Sequence, residues 1–269
     1  MTSAPHLRRL AVAASMLLPA LAVSPLHAQE RDPDAFFYDG SLAAGRTVHL
    51  HNLNGAIEVE RSTSGQLEIR AEKRWRRGDP EDVRIVRVAG RDGDVVVCAL
   101  WNDAECTEDG IKGRRSNRWN DRNDVSVQFT VRVPDGVNVR LKTVNGGVTA
   151  EGVTGAVEAS TVNGSITARS TAGPVSASTV NGSIRATMGS LGRDDLRYET
   201  VNGGITLELP ANANADLDLS TVNGGVSTDF PVTIQGSISR KRLRGTVGDG
   251  GRSLKASTVN GGISLKRAS

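Results

Sequence analysis

Thr143-Val144-Asn145-Gly146-Gly147-Val148, Thr161-Val162-Asn163-Gly164-Ser165-Ile166 and Thr179-Val180-Asn181-Gly182-Ser183-Ile184 are three passes over one phrase. Asn-Gly recurs at Asn54, Asn145, Asn163, Asn181, Asn202, Asn223 and Asn260, at spacings of 91, 18, 18, 21, 21 and 37 residues. All but the first copy read Thr-Val-Asn-Gly; the first reads Asn-Leu-Asn-Gly. Aligned on the Asn, the position six before it is Val48, Val139, Val157, Val175, Leu196, Leu217 or Leu254. The position three after it is Ile57, Val148, Ile166, Ile184, Ile205, Val226 or Ile263. Polar residues alternate with these columns on both sides of the corner, and period-two alternation marks half-buried strands.

Each repeat therefore carries two short strands and two turns. A meander of antiparallel hairpins would use Asn-Gly as its tight turn. A β-solenoid would instead stack each repeat on the last, with strands parallel between rungs. The fixed period favours the solenoid. An 18-residue coil puts identical residues in register, so Asn and Thr side chains can hydrogen-bond along the axis as polar ladders do in stacked sheets. The inward columns are mostly Val, Ile and Ala, which suit a narrow interior. The corner glycine is expected to take positive φ. The fold class read from the repeat is thus all-β: a single-chain parallel β-solenoid with about two short strands per 18–21-residue rung.

Outward from the repeat, the solenoid domain covers residues 46–267, with a linker over 29–45. Residues 60–135 show longer strand signals at 66–73, 83–88, 94–101 and 125–133, a broader β section that starts the same solenoid. A polar, charged loop, 102–124, joins the last two, and the Asn-Gly repeats fill 136–267. Residues 227–247 lengthen one rung. An open solenoid end is a sheet edge that needs charge or a cover. Lys266 and Arg267 suit that role at one end, and the N-terminal section at the other.

Residues 1–28 have the form of a secretory signal peptide. Arg8-Arg9 precede an apolar run from Leu10 to Val23, and Leu26-His27-Ala28 ends on a small residue. The run is too short for a spanning helix, which takes roughly 20 residues. Cleavage would remove two of the 33 basic residues and none of the 30 acids, bringing the formal charge from +3 to +1. The basic pI then argues for no anionic partner, and nucleic-acid binding is not expected. Aromatics are 3% of the chain, and from Val131 onward only Tyr198 and Phe230 carry rings.

Export makes Cys98 and Cys106 a disulfide pair, tying the charged loop to the sheet. In that loop Lys112, Arg114, Arg115, Arg118, Trp119 and Arg122 form a basic stretch around one tryptophan. They are the candidate surface-contact residues, against the plainer reading of a solvated loop. His49 and His51 alternate in the first strand and share a face. Without a carboxylate or third ligand nearby they make a thin metal site, so exposed strand positions are the expectation. No cofactor, metal or catalytic residue is expected, because no paired-carboxylate, serine–histidine or phosphate-loop signal emerges.

Beyond the repeat itself, Asn52-Leu53-Asn54-Gly55-Ala56-Ile57-Glu58-Val59, Val131-Arg132-Val133-Pro134-Asp135-Gly136 and Gly245-Thr246-Val247-Gly248-Asp249-Gly250 set a pattern. With the export signal and the serial Thr-Val-Asn-Gly, residues 46–267 resemble the bacterial putative-adhesin family of exported β-strand-repeat proteins. The resemblance implies a β-solenoid of the cell envelope or medium. It carries no functional residues with it. The expectation is a non-enzymatic adhesin-like surface or scaffold protein, periplasmic, on the outer surface or secreted. Its expected partners are a cell-surface glycan, an envelope polymer or another envelope protein. The alternatives are a polysaccharide-acting β-helix enzyme and an envelope-stress accessory protein.

Overall fold

A computed structural model describes residues 35–113, 123–234 and 239–268. The first 28 residues, and Arg114, Arg115, Arg118, Trp119 and Arg122 of the basic stretch, lie outside the described residues.

The N-terminal section holds β1 (Ala35–Gly40), β2 (Thr47–His51), β3 (Ile57–Arg61), β4 (Leu67–Arg74), β5 (Val83–Ala89) and β6 (Val95–Trp101). A small hairpin, β7 (Glu105–Thr107) and β8 (Gly110–Lys112), precedes β9 (Ser126–Val133). The regular repeats supply β10 (Asn138–Lys142), β11 (Val148–Val153), β12 (Val157–Ser160), β13 (Ile166–Ser170), β14 (Val175–Ser178), β15 (Ile184–Met188), β16 (Leu196–Asn202) and β17 (Ile205–Leu209). The C-terminal section adds β18 (Ala215–Asn223), β19 (Val226–Thr228), β20 (Thr233–Ile234), β21 (Arg242–Val247), β22 (Ser253–Asn260) and β23 (Ile263–Arg267). The only helical pieces among the described residues are single 3-10 turns at Pro80–Asp82 and Arg91–Gly93.

The strands preceding each Asn-Gly corner form one sheet and the strands following it form another. Sheet A runs β1-β4-β9-β3-β11-β13-β15-β17-β23-β19, and sheet B runs β20-β21-β18-β22-β16-β14-β12-β10-β2-β6-β5. Repeat strands pair in parallel and in register, as in Val139↔Val157, Leu141↔Ala159 and Val157↔Val175. The aliphatic columns of both sheets point inward and merge into one core. Tyr198 stands where other coils have Leu or Ala, fully buried, its hydroxyl donating to the Val175 carbonyl. Burial raises that phenol well above its usual range.

The phrase Thr-Val-Asn-Gly is explained residue by residue at the corner. Asn side chains form a continuous ladder. Nδ2 donates to Oδ1 of the next coil at 2.8 Å from Asn145 to Asn54, Asn163 to Asn145, Asn181 to Asn163, Asn202 to Asn181 and Asn260 to Asn202. It closes at 2.9 Å from Asn223 to Asn260. The Thr two positions earlier is buried and donates its hydroxyl to the corner carbonyl of the adjacent coil. Thr161 to Gly146, Thr179 to Gly164 and Thr258 to Gly203 are each 2.9 Å. Buried hydroxyls need such partners. Val between them faces outward, with Val162, Val180, Val201, Val222 and Val259 all exposed.

The glycine is required for a different reason than left-handed backbone. Among the corner glycines only Gly55 has positive φ, at 116°. A Cβ on Gly146, Gly164, Gly182 or Gly203 would instead stand 2.0–2.1 Å from the carbonyl oxygen of the neighbouring corner glycine. Close axial approach of backbones excludes any side chain. The opposite corner repeats the rule: a Cβ on Gly155 would meet the Val137 oxygen at 2.1 Å, and one on Gly173 the Gly155 oxygen at 2.1 Å. There Ser170 takes the threonine's part, donating to Gly155 at 3.0 Å.

Stacking follows chain order through the middle and breaks it at both ends. β22 and β23, the last repeat, lie between β16–β17 and β18–β19 rather than beyond them. The reason is visible in β21, which pairs antiparallel along the outer edge of β18 from Ala215↔Val247 to Ser220↔Arg242. Only the inner edge of β18 is then open to a parallel partner. The start mirrors this. β4 and β5 cover β9 and β6 antiparallel, and the first repeat, β2–β3, fits between that pair and β10–β11. Residues 227–247 thus contribute a covering strand rather than merely a longer rung. Lys266 and Arg267 belong to β23, which lies inside the sheet but is paired by β19 only through Leu265. The end strands at that side are β19 and β20, three and two residues long, and shortness itself limits edge pairing.

Candidate functional site

Among the described residues, the outer face of sheet B carries a groove. Ser160, Ser176 and Ser178 are small outward residues of β12 and β14, and they floor a groove of about 520 Å³. Arg140 and Glu158 wall one side. Arg197 and Glu199 of β16, with Asp194 and Asp195 of the preceding turn, wall the other. The wall has a sequence cause: the repeat spacing grows from 18 to 21 here, and the added residues project from the turn. Asp195 is anchored by accepting from the Ser253 N–H at 3.0 Å. The groove charges pair within it, Arg140 with Glu158 at 2.8 Å and Arg197 with Glu199 at 2.5 Å. A smaller hollow of about 250 Å³ continues the face past Asp218, Arg242 and Lys255.

At the N-terminal end the hairpin β7–β8 folds over this same face. Cys98 and Cys106 form a disulfide, with their Cα atoms 5.7 Å apart. Val96, Cys98 and Leu100, which point away from the main core, are buried against Val86, Val88, Ala104, Cys106 and Ile111. The region read as a polar loop therefore makes a second, small core outside the sheet. Lys142 Nζ donates to the Asp109 carbonyl at 3.0 Å and ties the hairpin to β10. Lys112, the described member of the basic stretch, is exposed at the end of β8 opposite Glu105. Between hairpin and corner lies a cleft of about 610 Å³ lined by His51, Trp101, Asp103, Ile111, Lys142 and Thr143.

The hairpin overturns the expectation of exposed histidines. His49 and His51 are 1% and 2% exposed, because β2 lies beside β6 with His49 level with Val96 and His51 with Cys98. His51 Nε2 lies 3.0 Å from the Glu108 carbonyl oxygen. A carbonyl only accepts, so the ring is the Nε2–H tautomer. Burial, opposed by that bond and joined by Lys142, His49 and Arg140, lowers its pKa to about 4. It is neutral at pH 7. His49 Nε2 faces Asp94 Oδ2 at 3.2 Å, and Asp94 Oδ1 accepts from the Thr47 N–H at 2.9 Å. Glu108 completes a triad whose ligand atoms lie within 4.8 Å of one another. Sequence reasoning missed Asp94 and Glu108. The adjacency of β2 and β6 skips over three strands, β3, β4 and β5, and no local spacing reports it.

A parallel β-solenoid with a polar groove on one sheet defines the class of molecule. The chain belongs to the family described as Toastrack DUF4097, which matches residues 57–266. Two solved structures are similar in outline. One is a putative cell adhesion protein from Clostridium sporogenes, 10% identical, covering 87% of this chain and 100% of that one, with a TM-score of 0.47. The other is a putative adhesin from Bacteroides fragilis, 11% identical, covering 88% and 98%, with a TM-score of 0.38. No curated protein matches the chain. Among the described residues, no helix is long and apolar enough to cross a membrane.

Proposed function

We propose that the protein is an exported, non-enzymatic, adhesin-like solenoid that binds a cell-surface glycan, an envelope polymer or another envelope protein along the outer face of sheet B. The groove carries this reading: a serine floor between two charged walls offers hydroxyl, carboxylate and guanidinium groups to a polar, extended ligand. Export is supported by the Cys98–Cys106 bond, since disulfides persist in oxidising compartments. Residues 1–28 read the same way. The test is retention on glycan arrays and envelope fractions, comparing wild type with Arg140→Ala/Arg197→Ala. Wild-type retention that the double variant loses supports the reading; equal retention moves the binding surface elsewhere.

One observation favours the enzyme alternative, since the groove unites Glu158, Asp195 and Glu199 with two arginines. Glu158 and Glu199 are each engaged by an arginine, an arrangement suited to holding a ligand rather than transferring a proton. Release of reducing ends from envelope polysaccharides by wild type, abolished by Glu158→Gln or Glu199→Gln, would decide for turnover.

A further inference from the structure

His49, Asp94 and Glu108 come from three separate places: strand β2, the turn before β6, and the tip of the disulfide-tethered hairpin. From this juxtaposition we propose a divalent-cation site of zinc type, with His49 Nε2 and the two carboxylates as protein ligands.

Zinc is bound by imidazole nitrogen and carboxylate oxygen at about 2.0–2.2 Å, and two tetrahedral ligands at that radius stand roughly 3.3 Å apart. His49 Nε2 and Asp94 Oδ2 are 3.2 Å apart. An imidazole nitrogen and a carboxylate oxygen at this distance must share a proton or a cation between them. The Thr47 N–H fixes Asp94 Oδ1 and so aims Oδ2 at the ring. Supporting bonds of this kind orient metal ligands. Glu108 is positioned from behind, its carbonyl held by His51 Nε2–H. Its carboxylate reaches the triad from the solvent side, where Asp94 and Glu108 side chains remain 16% and 21% exposed. That leaves an entry path. Three protein ligands leave a fourth position for water. Imidazole with two carboxylates is a hard-to-borderline donor set, suited to zinc or manganese rather than copper(I).

Arg91 competes for the site. Its Nε lies 3.3 Å from Glu108 Oε2, and its backbone N–H donates to the same oxygen at 3.1 Å. Its side chain is 75% exposed, so it can be removed without disturbing packing. Metal ligands bind in their deprotonated forms, so affinity is expected to rise with pH.

The test is titration of the full chain, without a histidine tag, with zinc chloride against a chromogenic chelator at pH 6 and pH 8. Circular dichroism confirms the fold of each variant. One tight equivalent is expected, tighter at pH 8. His49→Ala and Asp94→Asn each weaken it about tenfold or more. Arg91→Ala tightens it, and zinc raises the melting temperature reversibly to EDTA. Absence of a saturable equivalent overturns the proposal, as does binding that His49→Ala and Asp94→Asn leave unchanged. Should His49→Ala fail to fold, Arg91→Ala decides: unaltered affinity in that variant also counts against the site.

Discussion

At the residue scale, the repeat phrase states contacts between coils. Gly164 has no room for a Cβ, which would sit 2.1 Å from the Gly146 oxygen, an atom of backbone that cannot yield. Gly164→Ala is expected to cost about 3 kcal/mol or more, at the upper end for overpacking. Gly113→Ala, which meets nothing within 4 Å, should stay within about 0.5 kcal/mol. Urea denaturation of the two variants checks the contrast; equal losses would mean that the coils do not touch as described. Thr161→Val keeps shape and removes the donor to the Gly146 carbonyl. It should lose about 1–2 kcal/mol by the same measurement, the usual cost of leaving a buried group unpaired. Both roles were half legible. The sequence showed that Gly and Thr recur at the corner. Positive φ was the nearest local reason for the glycine, whereas the true reason is a carbonyl one coil away.

At the element scale, the hairpin β7–β8 and strand β2 depend on each other through His51. Its folded pKa of about 4 lies below the ordinary 6.5, so between those values the unfolded chain takes up the proton first. Stability from this group is complete above pH 6.5 and falls as pH drops towards 4, by on the order of 3 kcal/mol. The groups facing the ring reinforce the sign, since Lys142 and Arg140 of β10 and His49 of β2 all oppose a second positive charge. His51→Gln keeps a donor for the Glu108 carbonyl and has no proton to gain. Urea midpoints at pH 7 and pH 4.5 should therefore converge in the variant relative to wild type. A wild-type slope that survives the substitution would assign it elsewhere. Removing the tether by Cys98→Ser/Cys106→Ser should cost about 2.5 kcal/mol, the chain-entropy value for a loop of eight residues. That loss is readable by the same denaturation. The main strand beneath the hairpin, β6, was legible as an apolar run of strand-forming residues. The hairpin was not, because its apolar residues Ala104, Cys106 and Ile111 are few and scattered among charges.

At the scale of the whole molecule, the fold is a solenoid whose ends reverse the order of assembly. Equal spacing told that coils stack, and the seven Asn columns placed every coil but the one built from β6 and β9. Which coil touches which was not legible, because Asn202, Asn223 and Asn260 carry the same phrase and any order satisfies the ladder. Antiparallel β21 settles it by occupying the outer edge of β18. The groove shared this fate: its serines and charges stood in the outward columns, but its wall depends on the turn at Asp194-Asp195. Coil order is tested most directly by paired cysteines on the outer face of sheet A. Thr206 is level with Ser264 on the adjacent strand, and Ser264 with Ser227 beyond it. Thr206 and Ser227 are then two strand spacings apart, about 9–10 Å, too far for a disulfide. On mild oxidation, Thr206→Cys/Ser264→Cys should cross-link readily and Thr206→Cys/Ser227→Cys should not; the opposite result would mean that the repeats stack in simple chain order.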